Sequence, residues 1–132
     1  MTRRTIALAV LGVLVGSWPV RAHHGNAAFE NANQVMVKAT VTEWIWSNPH
    51  CFLKFDVKDE KGQVVSWIAE TSNPPDMIAR GWTRRSFKAG DEVSLTMIVA
   101  KNGVPVGRVR QVVLPNGQTL AASGPVTASP AP

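Results

Sequence analysis

From residue 35 onward the apolar positions recur at every second residue, so the chain reads as a succession of strands. Val35, Val37, Ala39 and Val41 share one face, with Lys38, Thr40 and Thr42 opposite, and this strand runs on into Trp46. Leu53, Phe55 and Val57, with Cys51 in phase, define a second strand whose other face carries Lys54 and Asp56. Asp59-Glu60-Lys61-Gly62 has hairpin-turn chemistry, and Val64 to Glu70 returns as a third strand carrying Trp67. Thr71-Ser72-Asn73-Pro74-Pro75 then opens a short helix: Ser72 or Asn73 caps it, proline suits its first turn, and Gly81 follows its end. Thr83 to Phe87 predicts a further short turn of helix. Val93, Leu95, Met97 and Val99 mark a fourth strand within Glu92 to Ala100. After an Asn102-Gly103 hairpin signal, Val106 to Leu114 makes a fifth. Three strands, a helix and two strands is the order of a mainly β, OB-like Greek-key barrel of five strands, its one short helix between strands 3 and 4.

The aromatic residues concentrate where the first two strands meet. Glu43-Trp44-Ile45-Trp46-Ser47-Asn48-Pro49-His50-Cys51 holds two of the five tryptophans and the single cysteine. Pro49 fixes its own φ and pushes Asn48 out of the helical region, so Ser47-Asn48-Pro49 is a corner. If strand 1 keeps its phase, Trp44 and Trp46 share a face with Thr42 and stand outside the barrel, as a platform for a sugar, a base or a peptide. A bulge, which a small barrel needs, would swap that phase and bury at least one ring.

The ends of the chain have a different character. Met1-Thr2-Arg3-Arg4 is basic, Thr5 to Gly16 is apolar, and Val20-Arg21-Ala22 places small residues at the positions a signal peptidase reads. The apolar run is shorter than the roughly 20 residues of a bilayer span. The expected organisation is a cleaved signal over 1–22, an arm over 23–34, the barrel over 35–120, and a disordered Ala/Pro/Ser/Thr tail over 121–132, with no transmembrane segment after cleavage. This implies a periplasmic or secreted protein. The whole chain of 132 residues carries a net charge of +5. Without residues 1–22, 11 Lys+Arg face 9 Asp+Glu, a net of +2. That balance gives no case for nucleic acid as a partner. One cysteine forms no internal disulfide.

Two groups of residues carry candidate chemistry. Cleavage after Ala22 would leave His23 with a free α-amine, and amine plus imidazole chelate a metal. Such nitrogen ligands favour copper, His50 would add an imidazole, and Cys51 is a soft candidate for Cu(I). Against this, paired terminal histidines can be idle, His50 can serve a corner carbonyl with a ring nitrogen, and Cys51 has the parity of the core residues Leu53 and Phe55. The second group is an aromatic surface of Trp44, Trp46, Asn48 and Phe52 with Arg84 and Arg85, suited to a peptide, a glycan or an envelope partner. Arg80, Arg84, Arg85, Arg108 and Arg110 are candidates for an anion. No nucleophile elbow, phosphate-cradling loop or HExxH motif occurs, so binding is favoured over catalysis.

Ala22-His23-His24, Glu43-Trp44 with Asn48-Pro49-His50, Gly81-Trp82-Thr83-Arg84 with Lys88-Ala89-Gly90-Asp91, and Val113-Leu114-Pro115-Asn116-Gly117 occur together. In this combination the chain resembles a family of small exported bacterial domains of unknown function, over most of His23 to Leu120. The resemblance implies an exported protein with a small β-barrel. It supplies no activity and no catalytic residue.

Overall fold

The structure is a computed structural model, and it describes residues 33–124. The expected leader, the expected arm up to residue 32 with His23 and His24, and the expected tail beyond residue 124 lie outside the described residues. The strands are β1 (Gln34–Ile45), β2 (Phe52–Lys58), β3 (Val64–Glu70), β4 (Glu92–Val99), β5 (Val106–Val113) and β6 (Thr119–Ala121). One helix, α1 (Pro74–Ala79), lies between β3 and β4. The strands form one sheet in the order β3-β2-β1-β4-β5-β6, and an additional β3–β5 pairing closes five of them into a ring. Every pairing is antiparallel except the closing one, which is parallel and joins Ile68, Ala69 and Glu70 to Val106, Gly107 and Arg108. The sixth strand is an addition to the five expected. Hydrogen bonding likewise continues past Leu120 to Gly124, from Trp82 Nε1 to the Ala121 carbonyl, from Ala122 N to Arg110 O and from Arg80 to the Gly124 carbonyl.

Alternation builds the core as far as it goes. Ala39 and Val41 of β1, Leu53 and Phe55 of β2, and Val93, Leu95 and Met97 of β4 are all buried. Twice the period slips, and each slip bends the ring. In β1, Val41 opposes Phe55 but Glu43 opposes Lys54, so Thr42 is an extra residue. In β5, Gln111 opposes Thr96 and Val109 opposes Met97, so Arg110 is extra. A bulge turns the following residues to the other face. That is why Val109 and Val112, three apart, are both buried. It also decides between the two faces open to the tryptophans in favour of the bulge: Trp44 opposes the fully buried Leu53 and turns towards the core.

The segment after β3 closes one end. Asn73 caps α1 by accepting from Asp76 N at 3.0 Å, with Pro74 and Pro75 in the first turn and Gly81 at φ +85° beyond the last. Pro74, Met77, Trp82 and Phe87 are buried beneath it. Thr83 to Phe87 forms a hydrogen-bonded turn, Ser86 N to Thr83 O, and not the expected helical turn. Trp44 packs against this plug, with ring centroids 5.7 Å from Trp82 and 5.3 Å from Phe87.

Candidate functional site

The Asn48–Pro49 corner sits where the end of β1, the end of β3 and the start of α1 converge. Cys51 N donates to Ser72 O at 3.0 Å and Thr71 N to Cys51 O at 2.9 Å, so the chain after the corner is tied to the residues that open the helix. These bonds bring His50 beside the end of β3. Its Nδ1 lies 3.0 Å from the Thr71 carbonyl oxygen and 3.9 Å from Glu70 Oε2. A carbonyl only accepts, so Nδ1 carries the hydrogen and donates it. The neutral ring then holds its lone pair at Nε2, and the His50 side chain is 44% exposed.

His50 lines a cleft of about 350 Å³ together with Glu70, Asp76, Arg80, Arg108 and residues 122–124. The ring closure makes this cleft. Parallel pairing sets Glu70 opposite Arg108, whose Nε donates to Glu70 Oε1 at 2.8 Å. On the facing wall Arg80 Nε donates to Asp76 Oδ2 at 3.0 Å, one helical turn away, and an Arg80 terminal nitrogen donates to Gly124 O at 2.8 Å. The hydrogen bond from Arg80 holds the Asp76 carboxyl below its ordinary pKa, against a smaller opposing effect of burial. Two ion pairs and one imidazole thus face a common space. A larger groove of about 730 Å³ crosses the sheet past Lys38, Thr40, Asp56, Lys58 and Glu92, and none of the sequence candidates lines it.

The remaining candidates divide among three places. Cys51 is fully buried, and burial raises its thiol pKa, with lesser opposing effects from the Ser47 carbonyl, Thr71 and the nearby Arg84. It occupies the core as a small apolar residue. Trp44 and Trp46 are partly buried and touch edge to face at 5.8 Å, and Trp44 Nε1 donates to Thr83 O at 3.0 Å. Phe52 is partly buried, whereas Asn48, Arg84 and Arg85 are exposed. Among the five arginines, Arg80 and Arg108 enter the cleft, and Arg110 donates to Ser123 Oγ beside it. Glu70 and Asp76 line the cleft together, while Glu43 is paired with Lys54 at 2.7 Å. Sequence reasoning missed Thr71 and the Glu70–Arg108 pair. The only signal for the pair was opposite charge on two strand ends. Among the described residues no three or more His, Cys, Asp or Glu side chains gather as a metal-ligand set.

Fold and site define a small, mainly β domain with a charged, histidine-bearing cleft at the seam of a closed ring of strands. The chain belongs to a family of unknown function, DUF6152, whose match covers residues 10–109. No curated protein and no solved structure matches the chain.

Proposed function

We propose that this is an exported, non-catalytic binding protein whose ring is an OB-type barrel, and that it holds copper beside the cleft through His23, His24 and His50. The fold assignment rests on the ring order β1-β2-β3-β5-β4, with α1 between β3 and β4. The copper reading rests on the state of His50. Metal-binding histidines commonly donate one ring N–H to a carbonyl or carboxylate, which fixes the tautomer and orients the other nitrogen. His50 has that arrangement, with Thr71 O as acceptor and the Glu70 carboxylate close by.

Chain length permits the remaining ligands. Val99 N donates to Asn33 O, Val99 pairs with Gly107, and Gly107 pairs with Ala69, the neighbour of Glu70. From Asn33 to β3 is therefore three strand spacings, about 14 Å around the ring. His23 stands ten residues before Asn33, a contour of up to about 35 Å. Cys51, enclosed in the core, is left out of the proposed ligand set.

The test is a competitive copper titration of protein expressed from the full sequence, with its N-terminus fixed by mass. It is run beside a form carrying one residue before His23, and beside His50→Ala. Tight one-to-one binding that collapses in both altered proteins is expected. An N-terminus other than His23, or an affinity indifferent to His50, would refute the reading.

A further inference from the structure

Away from the cleft, the plug has two unlike sides. Pro74, Met77, Trp82 and Phe87 face inward and are buried. Pro75, Ile78, Ala79, Arg84 and Arg85 face outward, and Ile78, a large apolar side chain on α1, is 62% exposed. Other cations around this end are neutralised: Lys54 by Glu43, Lys88 by Asp91 and Arg80 by Asp76. Arg84 and Arg85 have no ion-pair partner among the described residues. The Trp44–Thr83 hydrogen bond and the contact of Trp44 with Trp46 join this turn to the exposed Asn48–Pro49 corner. Neither cleft includes Ile78, Arg84 or Arg85.

We infer that this closed end, with Ile78 as its apolar contact and Arg84 and Arg85 as its charges, docks on an anionic lipid surface. The inference is independent of the copper reading. An extended peptide needs a groove or a free strand edge to hold its backbone. This end offers instead a plug that exposes one large apolar side chain and two guanidinium groups with no ion-pair partner among the described residues. Shallow apolar burial plus attraction of cations to anionic headgroups is how amphipathic elements lie on a bilayer, and each half is weak by itself. The partly buried Trp46 has an indole suited to the headgroup region.

Sedimentation with phospholipid vesicles tests this, using protein expressed from the full sequence and purified as processed. The expected result is salt-sensitive binding to mixed phosphatidylglycerol and phosphatidylcholine vesicles, and much weaker binding to phosphatidylcholine alone. Arg84→Glu with Arg85→Glu should lower the affinity at least about 30-fold, the worth of two cations at an anionic surface. Ile78→Ser should lower it about tenfold. Lys61→Glu with Lys101→Glu makes the same change of net charge on two other turns and should leave binding nearly intact. No binding to anionic vesicles, or an equal loss in both charge-reversed proteins, would overturn the inference. Binding to poly-glutamate that Ile78→Ser leaves unchanged, with vesicles ignored, would overturn it in favour of an acidic protein partner.

Discussion

Truncating Trp44 to alanine tests the bulge at Thr42, on which the shape of the whole aromatic end depends. Strict alternation from Val41 would put Trp44 outside, where its loss should cost within about 0.5 kcal/mol. In the structure the bulge turns it inward, against Trp46, Trp82 and Phe87 at 5.8, 5.7 and 5.3 Å, with its indole N–H on Thr83 O. Each such ring pair adds roughly 0.5–1.5 kcal/mol beyond the area it buries, and the hydrogen bond about 1 kcal/mol. These contributions overlap, and truncation of a large buried aromatic has a ceiling of about 3–5 kcal/mol. Because Trp44 keeps some exposure, about 3 kcal/mol is expected.

Urea unfolding followed by circular dichroism measures this without relying on the fluorescence of the residue being replaced. The slope should stay unchanged while the midpoint falls. Trp44→Phe keeps a ring in the cluster and loses only the N–H and some area, so about 1 kcal/mol is expected. A cost below about 0.5 kcal/mol for Trp44→Ala, equal to that of Trp44→Phe, would mean that the ring does not pack inward and that β1 has no bulge at Thr42.

Gly107→Ala probes the ring seam. An added Cβ would come within 2.8 Å of the buried Met97 sulfur and 3.2 Å of the Ile98 carbonyl oxygen, so a loss of about 1–3 kcal/mol is expected in the same assay. In a Met97→Ala background the cost should shrink by about 1 kcal/mol, and strict additivity would contradict the contact. For Asp76→Asn, the depressed carboxyl pKa means a contribution present above the unfolded value, near 3.9, and lost as pH falls through the lower folded value. The side chain is 34% exposed, so the deficit at neutral pH should stay within about 1 kcal/mol. It should vanish in acid, and a deficit that grew on acidification would refute the assignment.

The strands and the helix were legible because their signals are local. Asn73-Pro74-Pro75 and Gly81 bracket α1, and alternation from Val35 to Val41 identifies the inner face of β1. The bulges also left a mark that a strict period of two passes over. Thr42-Glu43 and Arg110-Gln111 are each two successive polar residues between residues that turn inward. A two-residue step in one strand against one in its partner has that sequence form. β6 was not legible, since Thr119-Leu120-Ala121 is too short to show a period. Nor was the cleft. It depends on parallel closure of β3 against β5, which sets Glu70 beside Arg108 from 38 residues away, and no local pattern specifies that register.

The arrangement of the corner also decides what loss of copper in His50→Ala would mean. A histidine that held the corner together would lose copper by unfolding the site, and the variant would say nothing about ligation. Here the corner has other supports. Cys51 N on Ser72 O, Thr71 N on Cys51 O and Thr71 Oγ1 on the same carbonyl, at 3.0, 2.9 and 3.2 Å, all persist when the imidazole is removed. The Thr71 carbonyl loses the ring N–H as a donor, but it borders an open cleft that water can enter. The expected penalty is about 1 kcal/mol, too little to unfold a domain of ordinary stability. The N-terminal extension alters no residue of the ring at all. A common loss of copper in two proteins that both keep their fold therefore has ligation as its shared cause. A loss confined to His50→Ala, with the extended protein binding normally, would leave His50 as a ligand and remove the terminal amine from the site.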